Sequence, residues 1–285
     1  MAKRTLAILG VGLMGGSIGL AVKKRRLPWR VIGIGRSAAR LAAAKRKGAL
    51  DEFSTDPARA IEADLVILCS AVSDIVPSFE KIMPHLKAGA WVSDIGSVKS
   101  PVMKEIFDAS PEARFVGGHP LAGSEKTGAE NARADLYEGA TVALCPGPSG
   151  SKAGLKVLKG FWESLGAKPL LIEPDIHDIL VAQTSHLPHV LAAALARLVS
   201  ALNGRDARTG RLLAGSFRDM TRIADSDPRQ WAEISAANQR FILGALKSYR
   251  DILLDLIKKF ESPGTGAAEW EDFFSKARAG RRDLL

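Results

Sequence analysis

His119 stands between Gly118 and Pro120 in "RFVGGHPLAGSEKTG", residues 114–128, with a hydroxyl, a carboxylate and an ammonium close behind it at Ser124, Glu125 and Lys126. Glycine and proline disfavour both helix and central strand, so this stretch predicts a rigid, irregular loop. An imidazole, with an ordinary pKa of about 6.5, is suited to taking a proton near neutral pH. A carbon bearing a hydroxyl gives up a hydride readily only if the O–H proton leaves too. A neutral His119 held in a fixed orientation fits that base role. "SDIGSVKS" places Ser97 and Lys99 just beyond another apolar run, which makes Ser97 the second catalytic candidate. No G-x-S-x-G elbow surrounds Ser97, which argues against a hydrolytic nucleophile.

"AILGVGLMGGSIG" holds Gly10, Gly12 and Gly15 in G-x-G-x-x-G spacing. A predicted strand precedes it and a predicted helix follows, the context that makes the spacing a dinucleotide-binding turn. Gly10 permits the tight turn, Gly12 lets backbone approach a pyrophosphate, and Gly15 lets the helix pack on the strand. Leu13 and Met14 within the turn, and Ser70 and Ala71 at the end of the third apolar run, complete the cofactor-binding candidates. An NAD-preferring site carries an acidic residue about 20 positions on. Here Gly35, Arg36 and Ser37 occupy that place, and no Asp or Glu occurs between residues 16 and 50. A 2′-phosphate would meet the Arg36 guanidinium and the Ser37 hydroxyl, with Arg40 as a second cation. NADP is the expected cofactor. NAD is the alternative, if Arg36 only stacks on the adenine.

These residues need a frame. Apolar, β-rich runs at 5–10, 30–35, 63–70, 90–96, 114–118, 140–146 and 168–174 are mostly separated by amphipathic segments such as 38–48, 75–86, 101–109 and 151–165. Strand and helix in alternation predict an α/β, Rossmann-type, doubly wound parallel sheet over residues 1–174. Ser97 and His119 follow its fourth and fifth strands, at the carboxyl edge where open sheets bind ligands. Ser100 and Pro101 read as the N-cap and first residue of a helix. Beyond Pro174 the strand pattern stops, and residues 175–285 predict an all-α domain. Its helices are expected at 175–202, kinked at Pro188, then at about 206–225, from Asp227 to about Glu261, and at about 267–279. "VLAAALARLVSAL" is apolar on nearly every face and so must be covered all round. A homodimer built through this domain is the expectation.

The 285 residues carry a net charge of +9. A basic balance suits anionic small molecules as well as nucleic acid. The densest run, "KKRR" at 23–26, falls at the end of the first helix, where cations are favoured, and no aromatics interleave with it. Neither a nucleic-acid partner nor a membrane is expected. No apolar run is expected to reach the length of a membrane span, and the N-terminus reads as a strand and glycine turn rather than a secretory signal. Cys69 and Cys145 lie in short apolar runs and suggest no disulfide framework. The expected location is the cytoplasm.

Taken in order, "GVGLMGGSIGLA", "DIGSVKS", "GGHPLAGSEKTGAENARADLYEG", "SHLPH" and "SFRDMTRIA" resemble the motifs of the prephenate and arogenate dehydrogenase family of tyrosine biosynthesis. The resemblance implies a nucleotide-binding domain followed by a helical dimerisation domain. It implies oxidative decarboxylation of prephenate to 4-hydroxyphenylpyruvate, or of arogenate to tyrosine. It casts His119 as the acceptor of the C4 hydroxyl's hydrogen bond and Ser97 as the serine that orients histidine, hydroxyl and nicotinamide. Arg218 in "SFRDMTR" would hold a substrate carboxylate, a task suited to a planar two-donor fork; its bland alternative is pairing with Asp219 or Asp225. Ser124 and Glu125 would line or gate the pocket. His186 and His189 share a helix face, with His189 the nearer to substrate and Trp231 either bordering the pocket or in the core. No metal is expected, because no third ligand sits at a zinc-like spacing. Neither a mutase domain before residue 1 nor a regulatory domain after residue 285 is expected. The competing readings are a β-hydroxyacid dehydrogenase, disfavoured because residues 175–196 contain no lysine, and a non-catalytic NADP-binding sensor.

Overall fold

The computed structural model describes residues 4–123, 126–148 and 152–284. Its strands are β1 (Arg4–Leu9), β2 (Trp29–Ile34), β3 (Glu52–Ser54), β4 (Leu65–Leu68), β5 (Trp91–Asp94), β6 (Phe115–Pro120), β7 (Thr141–Cys145) and β8 (Lys168–Leu171). They form one sheet in the order β3-β2-β1-β4-β5-β6-β7-β8. Helices α1 (Leu13–Lys24), α2 (Ala38–Arg46), α3 (Val72–Ile82), α4 (Ser100–Ala109) and α5 (Lys152–Ser164) cover its faces. Strands covered on both faces read as continuous apolar runs. In β4, Leu65 and Ile67 join one core with Leu6, Ile8 and Ile18. Val66 and Leu68 point the other way, into a core with Ala7, Ile32 and Phe79, as the two-residue period of a strand requires.

Two expectations are corrected here. The sheet is parallel only from β1 to β6; β7 runs antiparallel to β6, and β8 follows β7. His119 is not in an irregular loop but in β6, opposite Ala143 of β7. The glycines that argued against a strand are what make this one fit. Phe115 is paired with Val92 of β5, whereas Gly117 to Pro120 pair with β7. At the crossover a Cβ on Gly118 would stand 2.4 Å from the Asp94 carbonyl oxygen. The short strand β3 has no counterpart in the expected series.

The helical half contains α6 (Pro174–Val181), a π-turn at Ala182–His186, α7 (Leu187–Asn203), α8 (Arg208–Arg211), α9 (Gly215–Thr221), α10 (Pro228–Ala237), α11 (Gln239–Glu261) and α12 (Ala267–Leu284). The kink expected at Pro188 is a π-turn just ahead of it. Proline has no N–H to give, and a wider turn absorbs the missing bond. The segment expected at 206–225 is two short α-helices followed by a 3₁₀ turn at Arg222–Asp225. The long helix from Asp227 breaks at Asn238, whose side chain turns inward. Ser100 does not cap α4; the helix begins at Ser100 itself, after Lys99, and the Ser100 hydroxyl donates to Asp175.

The continuous segment Pro174–Asn203 is long and apolar enough to cross a membrane, with mean hydropathy 1.3, contrary to the expectation that no run reaches that length. Its first half, however, carries buried His177, Asp178 and His186, all bonded into the site below. In its second half, Leu198 is 62% and Leu202 47% exposed. The chain divides into two compact units, Met1–Ile242 and Leu243–Leu285. In the second, Phe260 and Trp270 bring their rings to 4.2 Å, and the Lys259 ammonium lies over the Trp270 ring.

Candidate active site

The glycine turn lies between β1 and α1, at the point where strand order reverses. Gly10 has φ +87° and donates its N–H to the Ile34 carbonyl. A Cβ on Gly15 would meet the Gly10 carbonyl oxygen at 2.5 Å, while a Cβ on Gly12 would meet nothing. The turn is therefore tight on the protein side and open on the outer side. Helix α1 starts at buried Leu13 with no side-chain cap, which leaves first-turn N–H groups for an anion. Met14 has its carbonyl held by the Tyr137 hydroxyl at 2.8 Å. Beside the turn, the Ser70 hydroxyl is buried and unpartnered among the described residues, and exposed Ala71 leads into α3. An open cradle, an uncapped helix and an orphan hydroxyl fit a dinucleotide.

Beyond β2, Arg36 is almost wholly exposed and makes only a loose 3.9 Å pair with Asp74 of α3. Asp74 is an acidic neighbour that sequence reading missed, since it comes from a different βα unit. Ser37 accepts from the Arg40 backbone N–H and so caps α2; its hydroxyl does double duty if it also meets a phosphate.

At the carboxyl ends of β5 and β6, Asp94 organises the backbone. Its Oδ1 accepts from Gly118 N at 2.9 Å and its Oδ2 from Gly96 N at 2.9 Å. Oδ2 also takes the Lys99 ammonium, which donates in addition to the Gly118 carbonyl at 2.9 Å. Asp94 and Lys99 are both fully buried. A buried ion pair is tolerable only when its remaining lone pairs and protons are satisfied in this way.

His119, next along β6, is half-buried, and its Nδ1 lies 2.8 Å from Nε2 of His177. His177 Nδ1 in turn lies 2.7 Å from Asp178 Oδ1. Sequence reading expected Ser97 to orient His119; the structure gives that contact to His177, which the sequence reading did not single out. The Ser97 hydroxyl, half-buried in the loop after β5, has no hydrogen-bond partner among the described residues. Burial pushes the His119 pKa well below 6.5, and His177, Lys99 and His186 push it the same way. The ring is thus neutral at physiological pH, as a base must be.

The π-turn brings His186 inward. Asn238 donates one amide proton to the Asp178 carbonyl and the other to His186 Nδ1, each at 3.0 Å. His186 Nδ1 is then an acceptor, so its proton is on Nε2, and that buried nitrogen has no partner among the described residues. Burial, chiefly, lowers the His186 pKa to about 4. His189 donates from Nδ1 to the Ser185 carbonyl and stacks on Trp231, with ring centroids 3.5 Å apart. His189 and Trp231 line a cavity of about 480 Å³, which moves Trp231 from core to wall. Arg218 is exposed on α9, which packs against α7, and among the described residues it has no ion-pair partner; neither Asp219 nor Asp225 engages it. Ser124 and Glu125 lie outside the described residues. A larger cleft, about 810 Å³, opens behind Asp178 against Met103, Phe107 and Phe241; neither His119 nor the glycine turn borders it, so it is not where the chemistry sits.

His177, Asp178 and Asn238 were the residues sequence reading missed. One signal was available: four of the chain's five histidines converge here, and His177 was the one left unassigned. The model of the prephenate dehydrogenase nucleotide-binding domain matches residues 18–171, and that of the prephenate dehydrogenase dimerization domain matches residues 173–274. The chain belongs to the prephenate dehydrogenase family. It is a nicotinamide-dependent oxidoreductase of that family. It is 35% identical over 247 residues to the cyclohexadienyl dehydrogenase of Zymomonas mobilis, covering 86% of this chain and 84% of that one. It is 34% identical over 244 residues to the prephenate dehydrogenase of Bacillus subtilis, covering 85% of this chain but 66% of the relative's length. The crystal structure of the A. aeolicus prephenate dehydrogenase with hydroxyphenyl propionate and NAD+ superposes with a TM-score of 0.91 at 29% identity, covering 100% of this chain and 99% of that one.

Proposed function

We propose that this family member oxidatively decarboxylates prephenate or arogenate, with His119 as the base and NADP as the favoured cofactor. The observation that carries the reading is the state of His119: neutral, fixed at the sheet edge, with Nδ1 committed to His177 and Nε2 left for a substrate hydroxyl. The nicotinamide, when bound, supplies the hydride acceptor. Nε2 of His119 takes the C4 hydroxyl's proton as the C4–H bond breaks. Carbon dioxide then leaves C1 and the ring becomes aromatic, which makes the step effectively irreversible. Ser97, with its hydroxyl unspent, orients the reacting hydroxyl. Arg218, with no ion-pair partner among the described residues, takes a substrate carboxylate, and His189 borders it; Ser124 and Glu125 are assigned to substrate binding by the family resemblance of their segment alone. Residues 1–174 would serve the cofactor and 175–285 the substrate and the dimer.

The absence of a carboxylate after β2 and the exposed Arg36 guanidinium, paired only loosely with Asp74, support NADP over NAD. The uncovered leucines of α7 support a homodimer, since apolar helix faces of this size seek a partner. Near-ultraviolet absorbance of the reduced nicotinamide, followed with each substrate and each cofactor, tests the activity. Turnover of neither substrate overturns it, and a strong NAD preference overturns the cofactor assignment. Sedimentation showing a well-folded monomer overturns the dimer.

A further inference from the structure

Asp178 is surrounded by donors. Its Oδ1 accepts from Lys99 N and its Oδ2 from Ser100 N, both at 2.8 Å. With these backbone bonds in place the carboxylate faces His177 as an acceptor, so His177 Nδ1 must carry the proton it shares at 2.7 Å. In a neutral imidazole the other nitrogen is then a lone pair. His177 Nε2 therefore accepts, and the 2.8 Å contact to His119 requires a proton on His119 Nδ1. Each link fixes the next, and the chain ends with a bare Nε2 on His119. The Asn238 bond to the Asp178 carbonyl anchors the same turn of helix from α10.

We infer that His177 and Asp178 form a proton relay behind His119, setting its tautomer and holding the substrate's proton until the ring becomes aromatic. The inference rests on His119 being the base. His119 itself is a poor place for a positive charge. Burial disfavours it, and His177, Lys99 and His186 all face it and add to the effect. His177, by contrast, abuts the Asp178 carboxylate. As C4 loses its hydride, the hydroxyl proton goes to His119 Nε2 and the Nδ1 proton moves on to His177 Nε2. The O–H electron pair becomes the second bond of a C4 carbonyl. When the C1–carboxylate bond breaks, its electron pair enters the ring and leaves a phenolate oxygen at C4. The proton then returns along the same path, so no net proton is released. His177 and Asp178 are positioning residues that act through His119, comparable in logic to the carboxylate that sets an imidazole's tautomer in a hydrolytic triad.

The test uses the full-length enzyme with ¹⁵N-labelled histidine. NMR is expected to show His119 protonated on Nδ1 and bare at Nε2; the opposite tautomer overturns the relay whatever the activity. Two variants add a kinetic test. His177→Leu removes both acceptor and proton store and is expected to lower kcat about 100-fold, within the range of acid–base catalysis, with substrate KM within about 3-fold. Its acid limb in kcat/KM is expected to move up, because one opposing group is lost from His119. His177→Gln offers an oxygen to His119 Nδ1 and restores the tautomer but cannot accept a proton, so its kcat is expected to lie between the two. Cofactor binding, followed by fluorescence, checks that each variant is folded. Wild-type kcat with an unmoved acid limb in both variants overturns the relay. A His119→Asn enzyme of normal kcat would instead overturn the base itself and leave the measured tautomer standing.

Discussion

Around Asp94 every carboxylate oxygen is bonded, whereas around His186 a buried nitrogen is left over. The first region, built from the ends of β5 and β6, ties three backbone or side-chain donors to one carboxylate. The second, built from the π-turn and α10, satisfies His186 on Nδ1 and leaves Nε2 open. A fully bonded buried network holds its shape before any ligand arrives, while an open donor costs free energy until something accepts from it. The Asp94 network at the ends of β5 and β6 is thus finished in the free chain, and the His186 side is completed by what binds there. That division suits a reaction whose base must be aimed in advance and whose substrate brings its own carboxylates.

The largest expected effect breaks the sheet side. His119→Asn is expected to lower kcat about 1000-fold with little change in KM, the signature of a lost acid–base group; steady-state kinetics with saturating cofactor check it. Next, Lys99→Met leaves the Asp94 charge buried without its counter-ion. A loss of about 3–5 kcal/mol in unfolding free energy is expected by denaturant titration. The helical side should respond differently. Arg218→Ala is expected to raise substrate KM about 30-fold while kcat and stability hold, as suits a lost charge-assisted contact of about 2 kcal/mol. An equal effect on stability would show that Arg218 belongs to the framework after all. Smallest, Arg36→Ala is expected to lower kcat/KM with NADP about 10-fold and leave NAD unaffected, because only the 2′-phosphate would need that guanidinium.

Much of this was legible in the residues. Gly10, Gly12 and Gly15 carry their meaning in their spacing between a strand and a helix, because a backbone turn dictates where a Cβ cannot be. The central strands were legible because burial on both faces leaves only apolar types. His119 was legible as chemistry but misplaced as structure: Gly117, Gly118 and Pro120 each disfavour a strand locally, and only the tight approach of Asp94 and the pairing to β7 show why one forms. The reversal of β7 and β8 has no signature, since parallel and antiparallel strands draw on the same residues. Asn238 was invisible for another reason. A polar residue inside an apparent helix reads as surface, and its two inward bonds depend on Asp178 and His186, both more than 50 positions away in the chain.

The contact between His119 and His177 crosses the seam between the two matched family domains, which meet between residues 171 and 173. Under the proposed mechanism, the nitrogen that takes the substrate's proton is therefore supplied by one module and tuned by the other. A chimera that grafts this chain's first module onto a foreign helical half would inherit a histidine with no one to set its proton, unless the graft also brings the His–Asp pair at the start of α6.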